Sequence, residues 1–562
     1  MSEFHQSPPA LPNQYLDDGL LRSYLACAAP PHVLHAIEPE LTALGERAAG
    51  EWLALAERAE ADPPRLIRYD AWGRRIDRIE TSDAWRAFER IASTEGLVAR
   101  GYERAYGAFS RVDQFARLYL FAPSSATYSC PLAMTDGAAR CLELLGTGGR
   151  LRAALGHLTT RDPAQVWTAG QWMTERTGGS DISGTSTVAT RDGDRFLLFG
   201  TKWFTSATTS QMALTLARPE GAEAGSRGLS LFYLELRDDA GLPNHMRVLR
   251  LKDKLGTRAL PTAEIELDGT PAWLVGGEGH GVRKIATVLT ITRIYNALAA
   301  VSGMRRAVAL ARDYARRRTA FGRQLGEHAL HADTLAAMQV ELAGCLLLMF
   351  RVVELLGLTE LGVATGADAR VLRLLTPVAK LYTGKRAVAI ASEAIEAFGG
   401  AGYIEDTGLP RLLRDAQVLP IWEGTTNVLS LDVWRALAAE PDGLGALGAE
   451  LNARLDRVTS GDLSDAAARV RTAARGLTDA ALRLAACSND DRESVARRFA
   501  FGIAQVTAGA LLVDHAHRCR AMPIGARLAD AARRWASRDL VPSLETGAAY
   551  RAASRRLGLD AD

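Results

Sequence analysis

Residues 194–207 read DRFLLFGTKWFTSA, a run of aromatic and apolar residues that follows an Asp-Gly-Asp turn and has none of the 3.6-residue spacing of a helix. Four more segments of the same kind follow: QMALTLARP (211–219), LSLFYLELRD (229–238), HMRVLRLKD (245–253) and TAEIELDG (262–269), separated by Gly, Asp and Pro. Together they predict a β-barrel or sandwich over residues 166–281. Outward from this block the helical period takes over. On the N-terminal side, residues 1–165 read as a helical domain with amphipathic stretches at 41–61 and 83–92. On the C-terminal side, long segments at 282–318, 333–357 and 372–398 suit a helical bundle over 282–440. AAEPDGLGALG (438–448) then marks the start of a further Ala- and Arg-rich helical domain, 441–562. The fold class expected is therefore mainly α with a central β domain.

The chain has 562 residues, too many for one core, and its 67 Lys plus Arg nearly balance its 65 Asp plus Glu. Global charge thus points to neither nucleic acid nor an anionic surface. The six cysteines form no C-x-x-C pair, which fits reduced thiols and a cytoplasmic protein. The start, MSEFHQSPPALPNQ, lacks a secretory pattern, and the apolar run Phe499 to Val513 is broken by Gln505 and too short to span a bilayer. It reads as a buried helix, with no membrane partner.

Three segments carry chemistry. LPIWEGTTN (419–427) sets a lone carboxylate, Glu423, between an apolar Ile-Trp pair and a small Gly-Thr-Thr turn. Contact with Trp422 is expected to desolvate that carboxylate and raise its pKa, which suits a base for a carbon-bound proton. WMTERTGGSD (172–181) and KWFTS (202–206) are turn-rich Thr/Ser/Gly/Trp segments able to hold a flat redox ring. Taken together they suggest flavin chemistry with a carboxylate base.

The order helical, β, helical, with glycine-rich and Trp-containing loops in the β part and the W-E-G turn late in a helical bundle, resembles the acyl-CoA dehydrogenase flavoprotein family, and MTERTGGSD (173–181), RLKDKLGTRA (250–259), IWEGTTN (421–427) and the added C-terminal helical domain resemble its AidB-like subgroup. The resemblance covers residues 15–440. It implies FAD as cofactor, with Met173 and Thr174 at the pyrimidine edge of the ring, Ser180 near the pyrophosphate, Trp203 against the ring and Thr205 near the hydride-accepting N5. Gly179, Phe204, Ser206 and Gly424 fall in the same matching loops, and Thr425 and Asn427 match residues that hold the flavin. Arg318 and Phe321, in RRRTAFG (316–322), match residues that reach the cofactor of a neighbouring subunit, which implies a homo-oligomer, most simply a tetramer. Gly400, in FGGAGY (398–403), matches the turn on the adenine side. Ala329 and Glu396 depart from the glutamines common in relatives. Glu423 matches the base that removes an α-proton from an acyl thioester, and the alternative base position of some relatives is Thr292 here. Electrons would leave to a flavoprotein or to oxygen.

Two other functions stay open: an AidB-like role on DNA during alkylation stress, and a flavin oxygenase on the same fold, which has little need of Glu423. For DNA, residues 441–562 hold 18 Arg, no Lys and 15 Asp plus Glu. Arg497, Arg498, Arg518, Arg520, Arg533, Arg534, Arg538, Arg555 and Arg556 could line one face and bind duplex weakly and without sequence preference, or belong to a solvated Arg-rich surface, the reading the interspersed acids favour. GGEGHG (276–281) lacks dinucleotide spacing and a βαβ frame. His515, His517 and Cys519 lie two apart on one helix and so point to different sides, so no metal is expected.

Overall fold

In the computed structural model, which describes residues 7–238, 240–458 and 461–559, the DRFLLFGTKWFTSA segment forms the long strand Arg195–Ser206. It pairs antiparallel with Val188–Asp192 on one side and with Thr262–Leu274 on the other. Thr262–Leu274 continues to Ser230–Glu235, which pairs with Met212–Pro219, and that strand returns to Val188–Asp192. The five strands therefore close a ring, with Ala169–Trp172 added to Met212–Pro219 and Met246–Leu251 to Thr262–Leu274. Closure removes most of the exposed strand edge and decides between barrel and sandwich. Trp172, Phe196, Leu198, Phe232, Leu234 and Ile265 fill one buried cluster, while Leu214, Leu216, Leu231 and Tyr233, offset by one residue, pack with Leu142, Leu151 and Val288 from helices. This is the two-residue alternation of side chains in a strand.

The chain folds as two compact units that interleave in sequence: residues 47–105 with 117–295, and residues 1–46 with 106–116 and 296–562. The first holds the barrel. It also holds a hairpin, Arg65–Tyr69 with Arg75–Glu80, inside the block read as helical. RLIRYDAWGRRIDRIE is charged at almost every second position, and its strand signal is weak. The turn is nevertheless legible, since the Asp70 carboxylate accepts from the amides of Trp72 and Arg74 and Gly73 takes a left-handed φ of 81°. The expected run at 41–61 is likewise two helices, Pro31–Ala49 and Glu51–Ala61, broken at Gly50.

The second unit is helical. Ala329–Glu360, Gly366–Ala397 and Thr426–Ala439 pack against Asn489–Arg518 of the last domain, and Ala329–Glu360 also against Gly525–Ala536. The packing is close enough that a Cβ at Gly344 would stand 2.3 Å from the Trp535 ring, and Trp535, fully buried, donates its Nε1 hydrogen to the Gln505 carbonyl at 2.9 Å. Glu341, on Ala329–Glu360, accepts from the Tyr382 hydroxyl and the Arg538 guanidinium, each at 2.7 Å. Among the described residues three helices, Gly281–Arg317, Ala329–Glu360 and Asn489–Arg518, are long and apolar enough to cross a membrane, so length excludes nothing for the last of them. Their apolar windows are 67, 78 and 89% buried inside the fold.

Candidate active site

The barrel unit holds the first group of candidate residues around a buried ion pair. After strand Ala169–Trp172 the chain turns through Met173 and Thr174, both half-buried, to Glu175, which is buried. The Glu175 carboxylate accepts from the Ser186 amide and hydroxyl at 2.7 Å each, from the Thr187 hydroxyl at 2.5 Å, and from Lys202 Nζ at 2.8 Å. Lys202, fully buried on Arg195–Ser206, also donates to the Leu216 carbonyl at 2.8 Å. Burial pushes the Glu175 carboxyl up, but the Lys202 ammonium and the hydroxyl donors outweigh it and hold the pKa at about 2. Next to the clamp the Trp203 amide donates to the Thr174 carbonyl at 2.9 Å. The two segments that read as flavin loops are thereby fixed against each other, and Arg176 to Ser180 stay exposed beyond the anchor.

Placement of the remaining candidates in this unit is uneven. Gly179 and Ser180 are exposed, and Trp203 is half-buried with Lys202 and Thr205 buried on either side of the Trp203–Phe204 pair. Lys252 Nζ lies 3.7 Å from the centre of the Trp203 ring and 4.6 Å from that of Phe204. Thr205, expected near the flavin, is fully buried and its hydroxyl donates to the Ala263 carbonyl at 2.8 Å. Strand pairing has taken the hydroxyl. Ser206 Oγ lies 3.1 Å from Thr262 Oγ1, so it too is engaged within the sheet. Thr292 returns its hydroxyl to the Val288 carbonyl of its own helix at 3.1 Å and supplies no carboxylate.

The helical unit holds Glu423. The chain leaves Leu409–Ala416, passes through turns, and reaches Glu423 in the left-handed region at φ 57°, followed by Gly424 at φ 103°. A glycine at 424 meets no penalty there, whereas a glutamate at 423 is strained. Lys380, buried on Gly366–Ala397, donates Nζ to the Gly424 carbonyl at 2.6 Å. Thr425 then caps Thr426–Ala439, its hydroxyl accepting from the Val428 amide. Glu423 and Trp422 are half-buried, Asn427 is exposed, and Ile421 is 60% exposed. The expected apolar wall of Ile421 and Trp422 is therefore only partly buried.

RRRTAFG folds as a small hairpin, Thr319–Ala320 with Arg323–Gln324. Phe321 and Gly322 form its two-residue turn, both with positive φ (52° and 79°), the backbone that suits a right-twisted hairpin. A phenylalanine in that conformation is rare, and this one is 96% exposed at the tip. Arg318, half-buried, enters the hairpin with its carbonyl accepting from the Leu325 amide at 2.8 Å. Gly400 is exposed, and no atom lies within 4 Å of where its Cβ would stand.

Three sets of residues escaped the sequence reading. Glu175 and Lys202 lie inside the quoted motifs, but their pairing spans 27 residues and needs the barrel. Lys380 carries no local signal. His515 and Cys519, four apart on Asn489–Arg518 and its C-cap, share a face, and Cys27 from Gly19–Ala28 joins them. Several of the nine candidate arginines have partners within the fold. Arg533 pairs with Asp462 and Asp530 at 2.6 Å, Arg534 with Asp333 at 2.7 Å and Arg538 with Glu341 at 2.7 Å, while Arg498 donates to the Ser543 and Glu545 carbonyls.

Residues 170–270 match the profile for the acyl-CoA dehydrogenase middle domain and residues 279–438 that for the acyl-CoA dehydrogenase C-terminal domain. Residues 6–155 match the adaptive response protein AidB N-terminal domain, and residues 443–561 the acyl-CoA dehydrogenase 11 C-terminal domain-like profile. The chain is 45% identical to acyl-CoA dehydrogenase family member 11 of Caenorhabditis elegans, over 91% of this chain and 86% of that protein. It is 34% identical to the putative acyl-CoA dehydrogenase AidB of Escherichia coli (strain K12), over 76% of this chain and 78% of that protein. The crystal structure of Caenorhabditis elegans ACDH-11 in complex with C11-CoA superposes with a TM-score of 0.97 at 42% identity, covering 100% of this chain and 97% of that one.

Proposed function

Because the chain belongs to the acyl-CoA dehydrogenase family, we propose that it is an FAD-dependent oxidoreductase that dehydrogenates an acyl thioester between its α and β carbons, with Glu423 as the base. The observation that carries this reading is the Glu423 turn: a half-buried carboxylate on a left-handed residue, followed by a glycine whose carbonyl is held by a buried lysine. Such backbone strain costs about 1–3 kcal/mol and persists where the surrounding structure over-determines the geometry, commonly at functional sites. The relative crystallised with C11-CoA supports a thioester with a medium-length acyl chain as the substrate class.

The residues present fit FAD. The exposed Gly178–Ser180 backbone, clamped by Glu175 and Lys202, leaves open space where a Cβ at Gly178 would stand, and Gly400 does the same. Met173 and Thr174 would meet the pyrimidine edge, Ser180 and Arg318 the pyrophosphate and Trp203 and Phe204 the ring, and Thr425 and Asn427 would also hold the flavin. Bound FAD supplies the acceptor for the β-hydride. Glu423 takes the α-proton onto its carboxylate, and its backbone amide donates to the thioester carbonyl as negative charge develops there. Thr205 contributes through its backbone, since its hydroxyl is committed to Ala263. The protruding Phe321 supports a homo-oligomer, a tetramer built as a pair of dimers, in which Arg318 and Phe321 of one subunit complete a neighbour's cofactor site. Electrons pass on to a flavoprotein or to oxygen.

The test is anaerobic reduction of the purified yellow protein by a panel of acyl-CoA thioesters. Wild type should bleach, and Glu423→Gln should bleach at least about 100-fold more slowly with its flavin retained. Equal rates would make Glu423 structural. If no thioester bleaches wild type, the DNA-associated reading moves ahead, with salt-dependent binding to duplex as its own test.

A further inference from the structure

Helix Gly19–Ala28 and the end of helix Asn489–Arg518 meet around a cluster that the dehydrogenase reaction does not use. Cys27 Sγ and Cys519 Sγ are 3.4 Å apart, Cys519 Sγ lies 3.7 Å from His515 Nδ1 and 3.6 Å from Nε2, and one ligand atom from each of the three lies within 4.8 Å of the others. These spacings resemble the edges of a tetrahedral zinc site. With Zn–S about 2.3 Å and Zn–N about 2.0–2.1 Å, tetrahedral angles put two sulfurs about 3.8 Å apart and sulfur and nitrogen about 3.5 Å apart. A linear two-sulfur ion such as Cu(I) would need a sulfur separation well above what is found.

The hydrogen bonds around His515 suit one of its two nitrogens for binding. Ser23 Oγ donates its one hydrogen to the Leu20 carbonyl at 2.9 Å, so toward His515 Nε2, also at 2.9 Å, it can only accept. In the tautomer that suits this contact Nε2 carries the ring hydrogen, which leaves the Nδ1 lone pair, 3.7 Å from Cys519 Sγ, for a metal. This is the outer-shell arrangement that orients a metal-binding histidine. A hydrogen bond of 2.5 Å from Arg518 to the Cys27 carbonyl ties the two helix ends together. His515 also lines a cavity of about 460 Å³ with Arg351, Glu354, Arg454 and Asp514, and Cys27 is half-buried, so an ion has a way in.

We propose that Cys27, Cys519 and His515 Nδ1 bind one Zn(II), with water as the fourth ligand. Binding displaces the two thiol protons, giving a neutral unit of one zinc and two thiolates, and it staples the N-terminal helix to the last domain independently of the flavin chemistry. The soft sulfurs favour zinc over the hard cations Mg²⁺ and Ca²⁺.

The experiment uses the full, FAD-loaded chain, reduced with a phosphine, stripped of metal and handled without oxygen. Zinc titrated by calorimetry in buffers of different ionisation heat, with metal content by mass spectrometry, should give one zinc and two released protons per chain. Cys27→Ser and Cys519→Ser should each weaken binding at least about 100-fold, and Ser23→Ala about 10-fold. Flavin content and thioester reduction should stay at wild-type levels in all three. Stoichiometry below one in the reduced wild type, or unchanged affinity in both cysteine variants, overturns the proposal. A chain that refuses zinc yet forms a Cys27–Cys519 disulfide in air also overturns it and leaves a redox cross-link instead.

Discussion

Glu175 follows Trp172 by three residues and precedes a Thr-Gly-Gly turn, while Glu423 follows Trp422 directly and precedes Gly-Thr-Thr. In the folded protein the two carboxylates part company. Glu175 is sealed among Ser186, Thr187 and Lys202 on ordinary backbone, and its partners make it a much stronger acid than a free glutamate. Glu423 is half-buried and sits on strained backbone held through its neighbour by Lys380. Similar sequence company thus yields one residue whose charge holds structure and one whose placement suits chemistry. Burial and partners, rather than flanking residues, separate the roles.

The sharpest way to break this contrast is Glu175→Gln, which leaves the Lys202 ammonium buried without its counter-ion. Unfolding in denaturant should show a loss of about 3–5 kcal/mol, with flavin released early. A midpoint equal to wild type would mean that the clamp does not hold the loop.

Acid should act through the same pair. Glu175 is depressed in the folded state to about 2 from 4.5, so its contribution is complete above the unfolded value and disappears as pH falls through the folded one. Stability should drop by an amount on the order of 3 kcal/mol between about pH 4.5 and 2, steeply in wild type and with a shallower slope in Glu175→Gln. Parallel slopes would sink the assignment. Glu423→Gln should do the reverse of Glu175→Gln. It should slow reduction about 100-fold, worth about 2.7 kcal/mol in barrier, and leave the denaturation midpoint in place.

The two smallest effects probe the Glu423 turn itself. Removing its helix cap with Thr425→Ala should cost about 1 kcal/mol in thermal or denaturant unfolding. Glu423→Gly should stabilise the fold by a similar amount, since glycine accepts a φ of 57° without strain, while thioester reduction disappears. A destabilised Glu423→Gly would show that the glutamate side chain holds the turn and is not merely tolerated there.

Much of this was legible beforehand, and the gaps have physical causes. The strand signal of residues 194–207 showed because barrel strands bury one face and leave a two-residue pattern. Residues 65–80 escaped because their hairpin is mostly exposed and charged, leaving almost no apolar alternation to read. Glu423 stood out because a lone carboxylate in apolar company is conspicuous. Its left-handed backbone and the grip of Lys380 are tertiary facts. Thr205 shows the converse limit. A resemblance placed it beside a cofactor, but only register with Ala263 reveals that its hydroxyl hydrogen is donated within the sheet. Spacing along one helix separated His515 from Cys519 in the sequence reading because it was weighed through His517. The third member, Cys27, is 492 residues away from Cys519.

The notch at Gly344 bears on how freely this chain could trade parts. The last domain matches its own profile over residues 443–561 and looks from sequence like a cassette that could be cut away to leave an ordinary three-domain enzyme. Gly344, however, has given up its side chain so that Trp535 can lie against the helix, and Glu341, one turn earlier, counts on Arg538. Truncation at residue 442 would expose a groove the width of an indole and leave Glu341 with Arg386 and the Tyr382 hydroxyl. A chain cut there would therefore have an indole-sized groove to refill, and a larger residue at 344 is the first change that would do so.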